Sequence, residues 1–414
     1  MRGGALLGLG LARARLWVAA LSAACLVVPG VANVLWAQQP SYSVVYSFQC
    51  GPLQGGPDDG AYPYGDLIGD SSGNLYGTTD QGGLFNGGIV YEISSSGTET
   101  VLHSFAGTPR DGAFPRAGLV RDVLGNLYGT TYEGGTYEDG TVFEVSASGA
   151  ESLLHSFRGE EDEAFPFSNL LLDSKGNLYG TTAGRFSDEF GTVFEISPTG
   201  KIGELHTFAG PPGDGQAPVG GLIHDSAGNL YGTTAGGGTW QSGTVFELSK
   251  GGAETILYNF GGSSDGGGPS ANLIRDAAGN LYGTTAGGGI DYGSQPCDGT
   301  SDLGCGVVFK VTPSGQEAVL YTFTGGTDGG VPISDLIMDT KGNLYGTASV
   351  ASDAAGVVFE VTPTGKEKVL HAFTGYPNDG SVPYGGLLRV GNYLYGTTNI
   401  GGAYDCGTVY RLTP

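Results

Sequence analysis

One phrase, Gly-Asn-Leu-Tyr-Gly-Thr-Thr, recurs seven times in nearly unchanged form, centred on Tyr76, Tyr128, Tyr179, Tyr231, Tyr282, Tyr345 and Tyr395. The intervals between these tyrosines are 52, 51, 52, 51, 63 and 50 residues, and the long one holds an insertion at 291–305. Such self-similarity means that identical units must stack or close on one another, because a single unit cannot bury its own apolar face. A second phrase of the Gly-Thr-Val-Phe-Glu type begins at Gly88, Gly140, Gly191, Gly243, Gly306, Gly356 and Gly407. A third, of the Val-Leu-His-Ser-Phe type, ends at Phe105, Phe157, Phe208, Phe260, Phe323 and Phe373.

Each unit reads as four short strands, the first a Gly-Leu-Ile segment such as 221–223. All four are rich in β-branched and aromatic residues and bounded by Gly, Pro, Asp or Asn. The 79 glycines are well above ordinary usage of about 7%, and they mark turns of a folded chain rather than a flexible linker. No segment carries an amphipathic helical stripe with caps. Four strands every ~50 residues, seven times over, predict an all-β, seven-bladed β-propeller of four-stranded blades spanning 38–414.

The two chain ends support a closed ring. The seventh unit stops after its third strand, while Ser43-Val44-Val45-Tyr46-Ser47-Phe48 matches the third phrase. The N-terminal strand is therefore expected to complete the last blade and cover its open edge. That pairing brings Cys50 next to Cys406, a predicted disulfide, and leaves Cys297 and Cys305 as the second pair. A zinc site is the rival reading for the cysteines, weakened by the lack of paired CxxC motifs or clustered His.

Residues 1–37 carry three arginines, no acid, and an apolar run ending at Ala37. This reads as a signal peptide, hence secretion or periplasmic export with no membrane span after cleavage. An uncleaved anchor is weakened by Pro29 and Gly30, and lipid attachment at Cys25 is the lesser alternative. The net charge of −23 disfavours nucleic acid and anionic membrane surfaces as partners.

Most chemically suggestive residues recur in register and therefore read as blade-building. His103, His155, His206 and His371 alternate with Tyr46, Tyr258 and Tyr321, and Glu92, Glu144, Glu195, Glu247 and Glu360 with Lys310 and Arg411. Asp70, Asp122, Asp173, Asp225, Asp276 and Asp339 precede Gly-Asn and suit turn hydrogen bonding, with Ca2+ ligation the secondary reading and no other cofactor implied. Unrepeated chemistry lies in the second-to-third strand loops and the blade-to-blade connections, which are expected to share one face. Candidate ligand-binding residues there are Tyr132, Tyr137, Phe186, Phe190, Trp240, Tyr292 and Tyr404, since loops carry function and aromatic faces bind well. No catalytic residue is assigned.

On these phrases, spelled in the fourth unit as Gly228-Asn229-Leu230-Tyr231-Gly232-Thr233-Thr234 and Gly243-Thr244-Val245-Phe246, the chain resembles the GloVer (Gloeo/Verruco) repeat family over about residues 41–414. The resemblance implies an exported repeat protein and carries over no catalytic residue. Members often bear varied surface anchors, and after Pro414 no sorting tail follows. The sequence points first to a binding module for a carbohydrate, peptide or protein. Two alternatives are a propeller lyase or glycoside hydrolase, using acids from Glu160, Glu161, Asp162, Glu163, Asp188 and Glu189 near the channel mouth, and a structural cell-surface protein.

Overall fold

A computed structural model describes residues 41–52, 58–159, 164–184, 190–289, 297, 304–352 and 354–414. They belong to one compact unit, Pro40–Pro414. The leader segment, with Cys25 and Ala37, lies outside the described residues, as do Phe186, Tyr292 and the acids at 160–163 and 188–189.

Seven antiparallel four-stranded sheets form the blades of a β-propeller. Blade 1 runs from the inner pair Ile68–Gly69 and Leu75–Thr79 to Ile89–Ile93 and the outer strand Glu99–Ser104. The other blades repeat this order. The inner strand is shorter than its sequence suggests. In blade 4 it is Ile223–His224, beginning where the expected 221–223 segment ends, because Gly220 and Gly221 pack tightly against the next blade instead. A Cβ on Gly220 would sit 2.8 Å from the Ala271 carbonyl oxygen.

Blade 7 is built from both ends of the chain. Tyr42–Ser47 lies antiparallel to Thr408–Leu412, with Tyr46 opposite Val409. The Cys50–Cys406 disulfide closes beside this pairing, and Cys297–Cys305 is the second bridge. The outer pair carries a bulge between Val44 and Tyr46, matching the bulge at the outer pair of every other blade. Bulges raise local twist, so each outer strand swings away from the inner ones.

The repeated phrases now acquire physical reasons. Mid-strand Gly77 faces the ring of Tyr91 across the sheet, and a Cβ there would lie 2.5 Å from the phenol oxygen. The same crowding by Phe143 at Gly129 and Tyr410 at Gly396 shows why this position is glycine. The glycine opening the second phrase meets the neighbouring blade. A Cβ on Gly88 would lie 2.6 Å from Pro115 Cδ, and one on Gly407 would lie 2.4 Å from Pro63 Cδ, across the ring closure.

Aromatic rings join the blades into one circuit. Phe48 packs edge-on against Tyr91, Phe105 against Phe143, and so on to Phe373 against Tyr410, with centroids 5.0–5.3 Å apart. Each ladder step pairs the end of one outer strand with the third strand of the next blade. Nearer the axis, seven threonines, from Thr78 to Thr397, donate to a carbonyl of the following blade at 2.8–3.4 Å. Each bond satisfies a buried hydroxyl, as a close-packed interior requires. No α-helix occurs among the described residues, and none there is long and apolar enough to cross a membrane.

Candidate functional site

The second-to-third loops and the blade-to-blade connections do share one face. In blade 1 they pair directly, Gly60 opposite Gly82 and Ala61 opposite Gln81, and blades 2, 4 and 7 repeat the pairing. The turns at Asp70–Asn74 and its equivalents lie at the other end of the blades. Asp70 there accepts from Ser72 N, Asn74 N, Asn74 Nδ2 and Tyr76 Oη at 2.8–3.1 Å. Four donors fill this carboxylate, which describes a turn clasp and holds its pKa below the ordinary value against the opposing effect of desolvation.

From each blade-to-blade connection the chain dips along the axis before entering the inner strand. A residue before a proline leads each descent, and its backbone is left-handed: Tyr62 (φ 59°), Phe114 (58°), Phe165 (61°), Ala217 (53°), Val331 (54°) and Val382 (56°), with Gly268 in blade 5. Positive φ is unusual for bulky side chains. It is held here by two backbone bonds. Phe114 N donates to Gly87 O of the preceding blade at 2.8 Å, and Phe114 O accepts from Tyr132 N at 3.0 Å.

Two residues further on, the seven descents form a ring at the channel mouth: Tyr64, Arg116, Phe167, Val219, Ser270, Ile333 and Tyr384, around a cavity of about 70 Å³. The ring is polarised. Blades 7, 1, 2 and 3 supply three aromatics and one cation; blades 4 to 6 supply small or aliphatic residues. Tyr64 packs on Tyr384 at 4.6 Å and edge-on to Phe167 at 5.9 Å. The Arg116 guanidinium lies 4.1 Å over the Tyr132 ring, and its Nε donates to Asp80 Oδ1 at 2.8 Å. Burial, with Tyr384 beside it, pushes the Tyr64 phenol up to about 12, so it stays a neutral donor.

One level deeper, Asp66, Asn169, Asn272 and Asp335 close the channel. Asn169 Nδ2 donates to Asp66 Oδ2 at 2.6 Å, while Asn169 Oδ1 accepts from Gly118 N at 2.5 Å. Asn272 N donates to Asp335 Oδ1 at 2.7 Å, Asn272 Oδ1 accepts from Gly221 N, and Gly386 N donates to Asp66. Burial, then the neighbouring Asp66 carboxyl, raises the Asp335 pKa well above the carboxylate range. A protonated Asp335 donating to Asp66 removes the like-charge repulsion. The Asn169 amide turns its N–H donors, not its oxygen, toward the carboxyls, an arrangement that does not suit a cation here. Asn169 Nδ2 bridges the two carboxyls, at 2.6 Å from Asp66 Oδ2 and 3.4 Å from Asp335 Oδ2.

Beside the mouth, a cavity of about 500 Å³ opens between blades 1 and 2, with Phe85, Thr108, Phe114, Glu133, Glu138 and Phe165 in its lining. Phe165 stacks on Tyr132 at 4.9 Å, and Tyr132 carries Arg116. One aromatic path therefore leads from this groove to the mouth.

Among the sequence candidates, Tyr132 is half-buried at the hub of this path. Tyr137 and Tyr404 are exposed on blades 2 and 7, and Trp240 is exposed on blade 4, away from the path. Phe190 is packed against the cluster of Val193 and Phe208. The mouth residues Tyr64, Arg116, Phe167 and Tyr384 had a usable signal that sequence reasoning missed: they diverge at one repeat position, three before the leucine that leads the inner strand. The connection aspartates belong elsewhere, since Asp59 and Asp379 are 1% and 6% exposed and tucked into the seams between blades.

The chain matches the Gloeobacter/Verrucomicrobia repeat over residues 34–225, 96–296 and 291–414, three overlapping stretches that reach its C-terminus. It belongs to this repeat family. No curated protein matches the repeat protein in sequence. Solved propellers resemble it in fold. The extracellular domain of a putative one-component system from B. thetaiotaomicron aligns at 11% identity and TM-score 0.55, covering 90% of this chain and 40% of that one. The extracellular domain of a putative hybrid two-component system from the same organism gives 13% and 0.52, with 86% and 39% covered. A puromycin hydrolase S511A mutant gives 14% and 0.52, with 82% and 50% covered. The Gloeobacter/Verrucomicrobia repeat protein thus spans half or less of the length of each of these three.

Proposed function

We propose that this repeat protein is an exported binding module whose loop face, over blades 7, 1, 2 and 3, takes an uncharged oligosaccharide. The polarised mouth carries the reading: aromatic side chains gather on one half of a ring whose scaffold is sevenfold. A purely structural ring needs no such asymmetry. Aromatic faces stack on sugar rings while Glu133, Glu138 and the Tyr64 hydroxyl supply hydrogen-bond partners. The acidic surface and the Asp80 partner of Arg116 disfavour an anionic ligand. The basic and apolar leader and the two disulfides support export, and the B. thetaiotaomicron propellers that share the fold are extracellular domains.

A glycan array probed with the full chain, alongside a peptide panel, tests this. Binding to neutral glycans is expected, weakened at least about tenfold, or ~1.4 kcal/mol, by Tyr64→Ala or Phe85→Ala. Trp240→Ala on blade 4 should leave it unchanged. Peptide binding alone, or loss on Trp240→Ala only, overturns the reading.

A further inference from the structure

The seams between adjacent blades repeat a polar arrangement. The penultimate residue of an outer strand, His or Tyr, faces the aspartate of the next connection, and the first residue of the following outer strand stands beside them. In three seams a tyrosine hydroxyl donates to the aspartate: Tyr46 to Asp59, Tyr258 to Asp265 and Tyr321 to Asp328, at 2.8–2.9 Å. In two others a histidine closes on it, His103 on Asp111 and His371 on Asp379, both at 3.1 Å.

The seam between blades 3 and 4 is different. His206 Nε2 stands 3.6 Å from Asp214 Oδ2 and 3.8 Å from Glu254 Oε2, within ion-pair reach of both carboxylates and in a hydrogen bond with neither. Glu254 Oε1 is buried without a partner, as is the equivalent oxygen of Glu99, Glu151, Glu317 and Glu367, so what sets this seam apart is the imidazole. The three side chains are only 13–18% exposed. A largely buried imidazole nitrogen that faces two carboxylates beyond hydrogen-bond length needs an explanation. Metal–N and metal–O lengths of about 2.0–2.2 Å place ligand atoms of a tetrahedral site about 3.3–3.6 Å apart. The two imidazole–carboxylate separations need only a slight contraction to match, and all three ligand atoms lie within 4.8 Å of one another. Asp214 is already oriented by backbone donors, Ala209 N at 2.7 Å and Gly215 N at 2.6 Å, the kind of support that metal-ligating carboxylates have.

We propose that this seam is a divalent-metal site of the zinc type, with His206 Nε2, Asp214 Oδ2 and Glu254 Oε2 as protein ligands and a fourth position open to water. One imidazole and two carboxylates suit a borderline cation better than a hard one with all-oxygen ligands. The metal would tie the outer strand of blade 3 to that of blade 4. The related cluster His103, Asp111 and Glu151 is an internal contrast, because its imidazole is already engaged by Asp111.

Calorimetric titration of Zn2+ into the chelator-treated full chain, with Co2+ absorption as a second readout, tests the site independently of glycan binding. One saturable equivalent and a Co2+ band of low coordination number are expected. His206→Tyr should abolish both, and it should still fold because three seams carry tyrosine at that position. Glu254→Gln should weaken binding at least about tenfold, while His371→Tyr leaves it unchanged. Absence of saturable binding, or binding indifferent to His206→Tyr, overturns the proposal.

Discussion

Five of the seven blades carry phenylalanine at the third-strand position that crowds the mid-strand glycine, and two carry tyrosine. The hydroxyls of Tyr91 and Tyr410 are buried without a hydrogen-bond partner, and burial drives both phenols far above their ordinary pKa. An unpaired buried hydroxyl costs roughly 1–3 kcal/mol. Tyr91→Phe and Tyr410→Phe should therefore each stabilise the chain by about 1 kcal/mol, read as a higher denaturation midpoint at unchanged m-value. A lower midpoint would mean that the hydroxyls are satisfied after all. The glycine opening the second phrase works the other way. Gly407→Ala forces a Cβ against Pro63 at a φ of +98°, so it should destabilise by about 1–3 kcal/mol. The repetition of these residues is plain in the sequence. Their cause is not, because the ring that crowds each glycine lies on another strand or another blade.

At the scale of strands and their seams, the outer-strand glutamates set the pH response. Glu99 is raised to about 8, and Glu317 and Glu367 to about 7, by burial and then by a neighbouring aspartate: Asp59, Asp265 and Asp328 respectively. Their folded pKa values lie above the unfolded one, so the folded state binds protons more tightly. This contribution is fully present below about pH 4.3 and is lost as pH rises through 7 to 8. The turn aspartates, such as Asp70 and Asp122, are lowered, and their contribution is lost as pH falls through the acid range. The melting temperature should thus peak at mildly acidic pH and decline toward pH 8.5. A Glu99→Gln, Glu317→Gln, Glu367→Gln variant should show a flatter decline over pH 5 to 8.5. An unchanged slope would remove these groups from the account. The recurrence of His and Tyr in the outer strands reads as blade-building, while Glu99, Glu317 and Glu367 were not singled out in the sequence. What could not be read is that residues about 50 positions apart meet across a seam, since that depends on blade twist.

For the whole molecule, ring closure is the determining event. The Cys50–Cys406 bridge spans 356 residues of chain; the loop-entropy model gives such a bridge about 6 kcal/mol, of which disulfides typically deliver about 2–4 kcal/mol. Cys50→Ser with Cys406→Ser should lower stability by that order. It should also raise amide exchange along Tyr42–Ser47 while the inner strands of blades 3 and 4 stay protected. Uniform exchange throughout would show that the ring opens elsewhere. Removing Cys297–Cys305, which spans only 8 residues, should have a much smaller effect. Because adjacent blades share aromatic packing and threonine bonds all the way round, loss of one seam is felt by its two neighbours first.

The seven-bladed architecture, the splice of the two chain ends and both disulfides follow from the sequence alone, because repeat period and strand patterning are local properties that each unit states again. The sharing of one face by the two loop classes is read from the same signals and is seen in the paired connections, while export is an expectation carried by the leader at 1–37. The polarised mouth, the floor of Asp66, Asn169, Asn272 and Asp335, and the His206 seam were decided only by tertiary structure. The mouth and the floor gather single residues from blades remote in the chain, and the seam joins strands of two successive blades. Their meeting depends on how seven twisted sheets tilt around one axis, and no stretch of residues encodes that by itself.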